Sequence, residues 1–198
     1  MQNMMQTVFL DRDGTLNEEA GYIREVDSLA LIPGSALAVK RFQEAGFLTV
    51  LTTNQTGPAR GYYDEDHVLA LNQRVQDLLQ AEAGVKLHAV YYCPHLATGS
   101  VQPYAIACHC RKPETGMIQQ AQQQFPNIDL SRSYVIGDKA TDVDFGHNAG
   151  CRSVLLKTGY GQRVLDGEYQ TLANPPDIVA DDLSDAANQI LAMTVSSH

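Results

Sequence analysis

Two aspartates stand two residues apart in DRDGT, Asp11 and Asp13, where the apolar run of residues 7–11 ends. Carboxylates so placed at a strand end can divide the labour of phosphate-ester hydrolysis. Asp11 can attack phosphorus, while Asp13 protonates the leaving oxygen and then activates water. Two acids would repel a phosphate dianion, so the site calls for a hard cation with oxygen ligands, and magnesium is the expected one. Gly14 lets the backbone turn sharply and present amides to phosphate oxygens. Taken alone, D-x-D-G reads equally well as a polar turn after a strand.

Three further groups change that balance. Thr53, in LTTNQTG, offers a hydroxyl and nearby amides to the phosphate. Lys112, in CRKP, offers a positive charge to the same anion. Asp138, in VIGDKATD, offers another oxygen to the cation, with Asp142 placed to orient it. Singly they read as a strand-end threonine, a surface lysine and a helix-capping aspartate; their joint order along the chain makes phosphate chemistry the better reading.

The cysteines carry a second pattern. Cys93-Pro94-His95 and Cys108-His109-Cys110 bracket a loop, and Cys93, His95, Cys108 and Cys110 can fill the four positions of a closed tetrahedral zinc site. A redox pair or unpaired buried thiols are the competing readings. His109 could replace a neighbour, although the thiolates are softer ligands. Cys151 reads as packing. Anchoring Cys110 would fix where Arg111 and Lys112 point, so that Lys112 serves the reacting phosphate and Arg111 grips a second anionic or hydroxyl group.

These groups need a scaffold. The 198 residues are 44% hydrophobic and 19% charged, globular values that fit one domain over 1–198, with the zinc loop at about 93–112. Short apolar runs at 7–11, 47–53, 87–93, 133–138, 153–157 and 177–180 alternate with helical patterns at 34–45, 64–83, 115–124, 140–149 and 183–192. The helix at 34–45 is expected to bury Leu37, Phe42 and Ala45, and the one at 64–83 to bury Val68, Leu71, Val75, Leu78 and Leu79. The stretch from 159 to 176 reads as the least structured. Alternation of this kind predicts an α/β fold: a Rossmann-like parallel sheet with helices on both faces. Sites in such sheets lie at the carboxyl ends of the strands. Asp11, Thr53, Cys93 and Asp138 all fall there.

Net charge is −9, from 23 acids against 14 bases, which disfavours nucleic acid and anionic membranes as partners. No apolar run reaches the roughly 18 residues of a membrane span, and the N-terminus lacks a basic signal-peptide region. A cytoplasmic monomer that can still bind a small anion through a local basic cluster or a metal is expected, and disulfides are not.

DRDGT, the strand-end Thr53, Lys112 and GDKATD together resemble the haloacid dehalogenase-like phosphatases over most of the chain, about residues 8–161. The resemblance implies an aspartyl-phosphate on Asp11, acid–base work by Asp13, and magnesium held by Asp11, the main-chain carbonyl of Asp13, and Asp138. Thr53 and Lys112 would steady the transferring phosphoryl group. TNQTGPARG, YYCPH and CHCRKP are similar to the branch that hydrolyses heptose bisphosphate at its 7-phosphate for ADP-heptose and lipopolysaccharide synthesis, with histidinol-phosphate phosphatases as close relatives. That likeness implies a substrate pocket lined by Glu19, Ala20, Gly21 and Tyr22, by Thr53, Asn54, Gln55 and Thr56, and by Arg111, Lys112 and Lys139. Ala20 could contribute only its backbone. Arg60 reads equally as a distal anion contact or as a solvated loop residue. The insert after the first strand is too short for a large cap domain, so residues 18–26, residues 55–63 and the zinc loop are expected to wall the pocket. A zinc-stabilised binding protein on an inactive phosphatase fold is the alternative from another class. It should lack at least one core group, and all are present.

Overall fold

In the first strand, β1 (Thr7–Leu10), side chains alternate between two apolar layers, and this alternation organises the molecule. Val8 and Leu10 enter one layer and Phe9 the other, as the two-residue period of a strand requires. The computed structural model describes residues 4–195; residues 1–3 and 196–198 of the expected 1–198 domain, including the first residues of the N-terminal reading, lie outside it.

The other strands are β2 (Leu48–Asn54), β3 (Ala89–Cys93), β4 (Tyr134–Gly137), β5 (Arg152–Leu156) and β6 (Ile178–Ala180). All pair in parallel, in the order β3-β2-β1-β4-β5-β6. Helices α1 (Ser35–Glu44), α3 (Glu65–Ala83) and α7 (Leu183–Val195) cover the Val8 and Leu10 face. Helices α4 (Gly116–Gln124) and α5 (Ala140–Ala149) cover the Phe9 face through Met117, Ile118, Ala121 and Phe145. The expected parallel sheet with helices on both faces is therefore present. No helix among the described residues is long and apolar enough to cross a membrane.

The helix ends follow local chemistry. Asp64 caps α3 by accepting from His67 N at 2.9 Å, and Gly84 ends it with φ 72°. One expected helical face is corrected. In α1, Leu37 is 58% exposed and Ala45 is exposed, while Ala36, Ala38, Val39 and Phe42 are buried. Leu37 and Phe42 are five positions apart, about 140° around the helix, so one stripe cannot hold both. The α3 stripe holds as expected except that Leu78 is only partly buried, and Asn72 joins it at 4% exposure. Two short helices went unread: α2 (Gly57–Arg60), and α6 (Gly161–Leu165) inside the stretch expected to be least structured.

The topology reverses at β1. The chain runs outward through β2 and β3, then returns to place β4 on the other side of β1. The carboxyl ends of β1 and β4 thus flank a switch point, where such sheets open a crevice.

Candidate active site

Asp11 ends β1 and Asp138 ends β4, so strand pairing alone brings them together; Asp11 N donates to Ile136 O at 3.0 Å. The approach is close enough to constrain the backbone. Gly14 has φ 78°, and a Cβ there would stand 2.3 Å from Asp138 Oδ2. Gly159, on the β5 side, would meet the same oxygen at 2.1 Å. Gly14→Ala therefore faces both a left-handed backbone and a collision with a buried carboxylate. Its expected cost is roughly 2–4 kcal/mol of stability, seen as a lower denaturation midpoint, together with a loss of activity larger than the loss of folded protein.

The two lysines set the charge of the floor. Lys112 is 3% exposed, and its Nζ lies 2.9 Å from Asp11 Oδ1, 2.5 Å from Asp142 Oδ1 and 3.0 Å from Thr52 O. Lys139 Nζ lies 3.2 Å from Asp138 Oδ1, 2.9 Å from Glu19 Oε2 and 3.9 Å from Asp11 Oδ2. Burial would raise the pKa of Asp11, but the Lys112 and Lys139 charges outweigh it and hold the carboxyl below its ordinary value. Burial would likewise lower Lys112, and the Asp11 and Asp142 carboxylates instead keep it above the usual lysine range. Asp11 is thus an ionised, desolvated carboxylate fixed between two cations.

Asp138 is fully buried. Burial pushes it up to about 7; Lys139 opposes the shift, while Asp11 and Asp142 reinforce it. Ligand oxygens of Asp11, Asp138 and Asp142 lie within 4.8 Å of one another. Three buried acids converging on one point fit a hard cation. Asp142 is the least free of them, because its Oδ1 meets Lys112 and its Oδ2 accepts from Lys139 N at 3.0 Å. Asp13 commits both side-chain oxygens to Arg12, Asn17 and Gln55, which leaves its main-chain oxygen as what it would offer a cation.

A cavity of about 250 Å³ opens over this floor. Asp11, Asp13, Lys112 and Lys139 line it, as do Glu19, Gly21 and Tyr22 from the first flap and Asn54, Gln55 and Thr56 after β2. Arg60 and Arg111 line it too. Two expected contacts do not: Ala20 is exposed, and Thr53 is buried with its Oγ1 accepting from Gln55 Nε2 at 2.9 Å; Asp138, expected to hold magnesium, is buried and outside this lining. Asn54 reaches the cavity but clamps the Lys112 backbone with its amide, donating to Lys112 O at 3.2 Å and accepting from Lys112 N at 3.0 Å. Tyr22 ties the flap down through a 3.1 Å contact between its hydroxyl and Thr56 Oγ1.

Other residues here escaped the sequence reading. Tyr160 and Tyr169 stack with ring centroids 4.3 Å apart and form one wall of the cavity, and Tyr160 N donates to Asp138 Oδ2 at 2.9 Å. They come from the stretch expected to be the least structured. Arg12, 1% exposed, was also passed over. Its signal was present: it continues the β1 alternation onto the face that α3 covers.

Cys93, His95, Cys108 and Cys110 meet at the head of the Lys112 loop, with ligand atoms within 4.8 Å of one another. The cysteines are free, with sulfur pairs 2.9–3.4 Å apart, far beyond the roughly 2.05 Å of a disulfide. The hydrogen bond between Cys110 and Cys93, helped by His95 and Cys108, holds Cys110 down to about 5 against its burial, while Cys93 is pushed up. A thiolate among soft donors fits one soft metal ion. His109 is exposed and outside the cluster. Arg111 Nη1 donates to His95 O at 3.3 Å, tying the cavity arginine to this knot.

Comparison with known proteins agrees with this geometry. The HAD-hydrolase-like family model matches residues 109–186. D-glycero-D-manno-heptose-1,7-bisphosphate 7-phosphatase of Thermosynechococcus vestitus is 52% identical over 186 residues, covering 92% of this chain and 94% of the relative. D-glycero-beta-D-manno-heptose-1,7-bisphosphate 7-phosphatase of Escherichia coli K12 is 38% identical, covering 90% and 96%. The crystal structure of D,D-heptose 1,7-bisphosphate phosphatase from B. bronchiseptica, complexed with magnesium and phosphate, superposes with a TM-score of 0.81 at 32% identity, covering 96% of this chain and 99% of that one.

Proposed function

Since the chain belongs to the haloacid dehalogenase-like phosphatases, in the branch of the heptose bisphosphate enzymes, we infer that it removes the 7-phosphate of D-glycero-D-manno-heptose 1,7-bisphosphate and releases the 1-phosphate. The observation that carries this reading is the cavity itself. Asp11 stands between two lysines at its floor, and two more cations, Arg60 and Arg111, line the same space. A substrate with two phosphates matches four cations. Histidinol phosphate brings a cationic amine, and Glu19, the flap acid that could receive it, is already paired with Lys139.

The proposed chemistry follows from the positions. The Asp11 carboxylate, kept ionised by Lys112 and Lys139, attacks phosphorus. The Asp11 O–P bond forms as the bond to the sugar oxygen breaks, and Asp13 gives that oxygen its proton. Asp13 then takes a proton from water as the water oxygen attacks phosphorus, which frees phosphate and restores Asp11. Lys112 and Lys139 face the negative charge throughout, already oriented before the substrate arrives. Magnesium, which Asp11, Asp138 and the Asp13 main-chain oxygen would hold, adds positive charge against the phosphoryl oxygens. Zinc is the ion proposed for the three cysteines and His95, with a purely structural task, since every position is filled by protein.

The test is phosphate release from heptose bisphosphate, histidinol phosphate and fructose bisphosphate under equal magnesium. Heptose bisphosphate should lead by at least ~10-fold in kcat/KM, which corresponds to about 1.4 kcal/mol; preference for histidinol phosphate would overturn the substrate assignment. Arg111→Ala should raise KM for the bisphosphate by roughly 10- to 100-fold, in line with a lost charged contact of about 1.5–3 kcal/mol. It should leave turnover of a sugar monophosphate nearly unchanged. An equal loss on both substrates would place Arg111 away from the distal phosphate.

A further inference from the structure

The mechanism above gives no task to Arg12, a buried charge. Arg12 does not line the cavity and cannot touch substrate. Its guanidinium forks onto Asp13: Nε donates to Oδ1 at 3.2 Å and Nη2 to Oδ2 at 3.0 Å. Nη2 also donates to Gln55 Oε1 at 2.8 Å, and Nη1 donates to Asn72 Oδ1 at 3.1 Å. Gln55 Nε2 and Asn17 Nδ2 complete the cage, donating to Asp13 at 2.8 and 2.9 Å. Four donor contacts thus meet this carboxyl group, two on each oxygen.

Asn72 shows that the arrangement is built for Arg12. It lies in the apolar stripe of α3 between Leu71 and Val75, 4% exposed, and its Nδ2 has no hydrogen-bond partner. A buried amide with an unpaired NH2 is costly. Only its carbonyl is in use, and that carbonyl receives Arg12. Helix α3 is held in turn by Val68, Leu71, Val75 and Leu79 in the core, so the support is rigid.

We infer that Arg12 is the positioning residue for Asp13, with Asn72 as its fixed backing, so that the acid–base group is oriented from the α3 side of the sheet rather than from within the cavity. The inference rests on the reading of Asp13 as proton donor and acceptor. A planar fork fixes both oxygens of a carboxylate at once, which a single ammonium cannot do.

The test compares Arg12→Lys, Asn72→Ala and Asp13→Asn on two esters. One is the sugar phosphate, whose alkoxide needs a proton to leave. The other is p-nitrophenyl phosphate, whose phenolate leaves without one. On the sugar phosphate, Asn72→Ala should lower kcat by ~10-fold and Arg12→Lys by ~100-fold, the size of effect that misplacing a reacting group by about 1 Å produces, with KM nearly unchanged. On the aryl ester both variants should release a rapid burst of nitrophenolate, close to one per chain, followed by slow turnover. Phosphorylation of Asp11 then proceeds unaided while activation of water does not. A purely structural defect would instead shrink the burst and depress both substrates alike, and that result, or unchanged kcat in both variants, overturns the inference. Should Arg12→Lys not fold, Asn72→Ala decides it alone. Asp13→Asn separates the two layers. If it still turns over the sugar phosphate, the acid–base reading fails and the anchor falls with it. If it is inactive while Arg12→Lys and Asn72→Ala are normal, the anchor alone is wrong.

Discussion

Asp11→Asn is expected to reduce turnover by at least ~10⁴-fold, a loss of about 5.4 kcal/mol in transition-state stabilisation, while the protein stays folded. The amide has the shape of the carboxylate it replaces, so the buried floor keeps its packing. Lys112 retains Asp142 and Thr52 O as partners, and Lys139 retains Asp138 and Glu19. What disappears is the only group that the reaction scheme allows to bond phosphorus. The check is twofold. Phosphate release should fall, and denatured protein quenched during turnover should carry phosphate on the aspartate in wild type but not in the variant. Full magnesium-dependent activity in Asp11→Asn would mean that water or another side chain attacks phosphorus directly.

The second large effect concerns a site that touches no reacting atom. Cys110→Ser, or extraction of the soft metal with a chelator, should lower the melting temperature by roughly 6–12 °C, reading a loss of about 3 kcal/mol at roughly 2–4 °C per kcal/mol for a domain of this size. Activity should fall as well, because the loop ends in Arg111 and Lys112. With a metal bound, the four side chains from two short segments would replace a core that the stretch between Cys93 and Cys110 cannot build. Only Asn54, Thr52 and the acids of the floor would then hold Lys112 in place. Readdition of zinc to chelated protein should restore melting temperature and activity together. Recovery with magnesium alone, or a chelated protein as stable as before, would remove the structural role of the cluster. The two experiments also differ in kind: the first leaves stability intact and removes chemistry, whereas the second removes stability and takes chemistry with it.

Much of the site was legible before any coordinates. Asp11, Asp13, Lys112 and Asp138 each end a strand-like apolar run or follow a motif of fixed spacing, and the three cysteines with His95 have a ligand spacing that few other chemistries require. Such signals are local, and the chain carries them in order. The α1 face was misread because Leu37 is hydrophobic yet points to solvent. Hydrophobicity is a one-way guide to burial, and the small Ala36 and Ala38 allow the close packing that a leucine would block. The Tyr160–Tyr169 wall was missed because its segment has turn-like composition and its order comes from contacts with the β4 and β5 ends, which have no local signature.

By itself, the amino-acid sequence determined the parallel α/β sheet and the strand-end edge at which Asp11 and Asp138 meet, because side-chain alternation and strand-end position follow from backbone geometry that every residue shares. Only the tertiary structure decided how Asp11 is charged and how Asp13 is aimed. The first depends on Lys112 and Lys139 arriving more than a hundred residues later in the chain. The second depends on Asn72, an ordinary helix residue in sequence, meeting a buried Arg12 between α3 and the sheet. A pKa and an orientation are properties of distances between groups, and those distances exist only once the layers have packed.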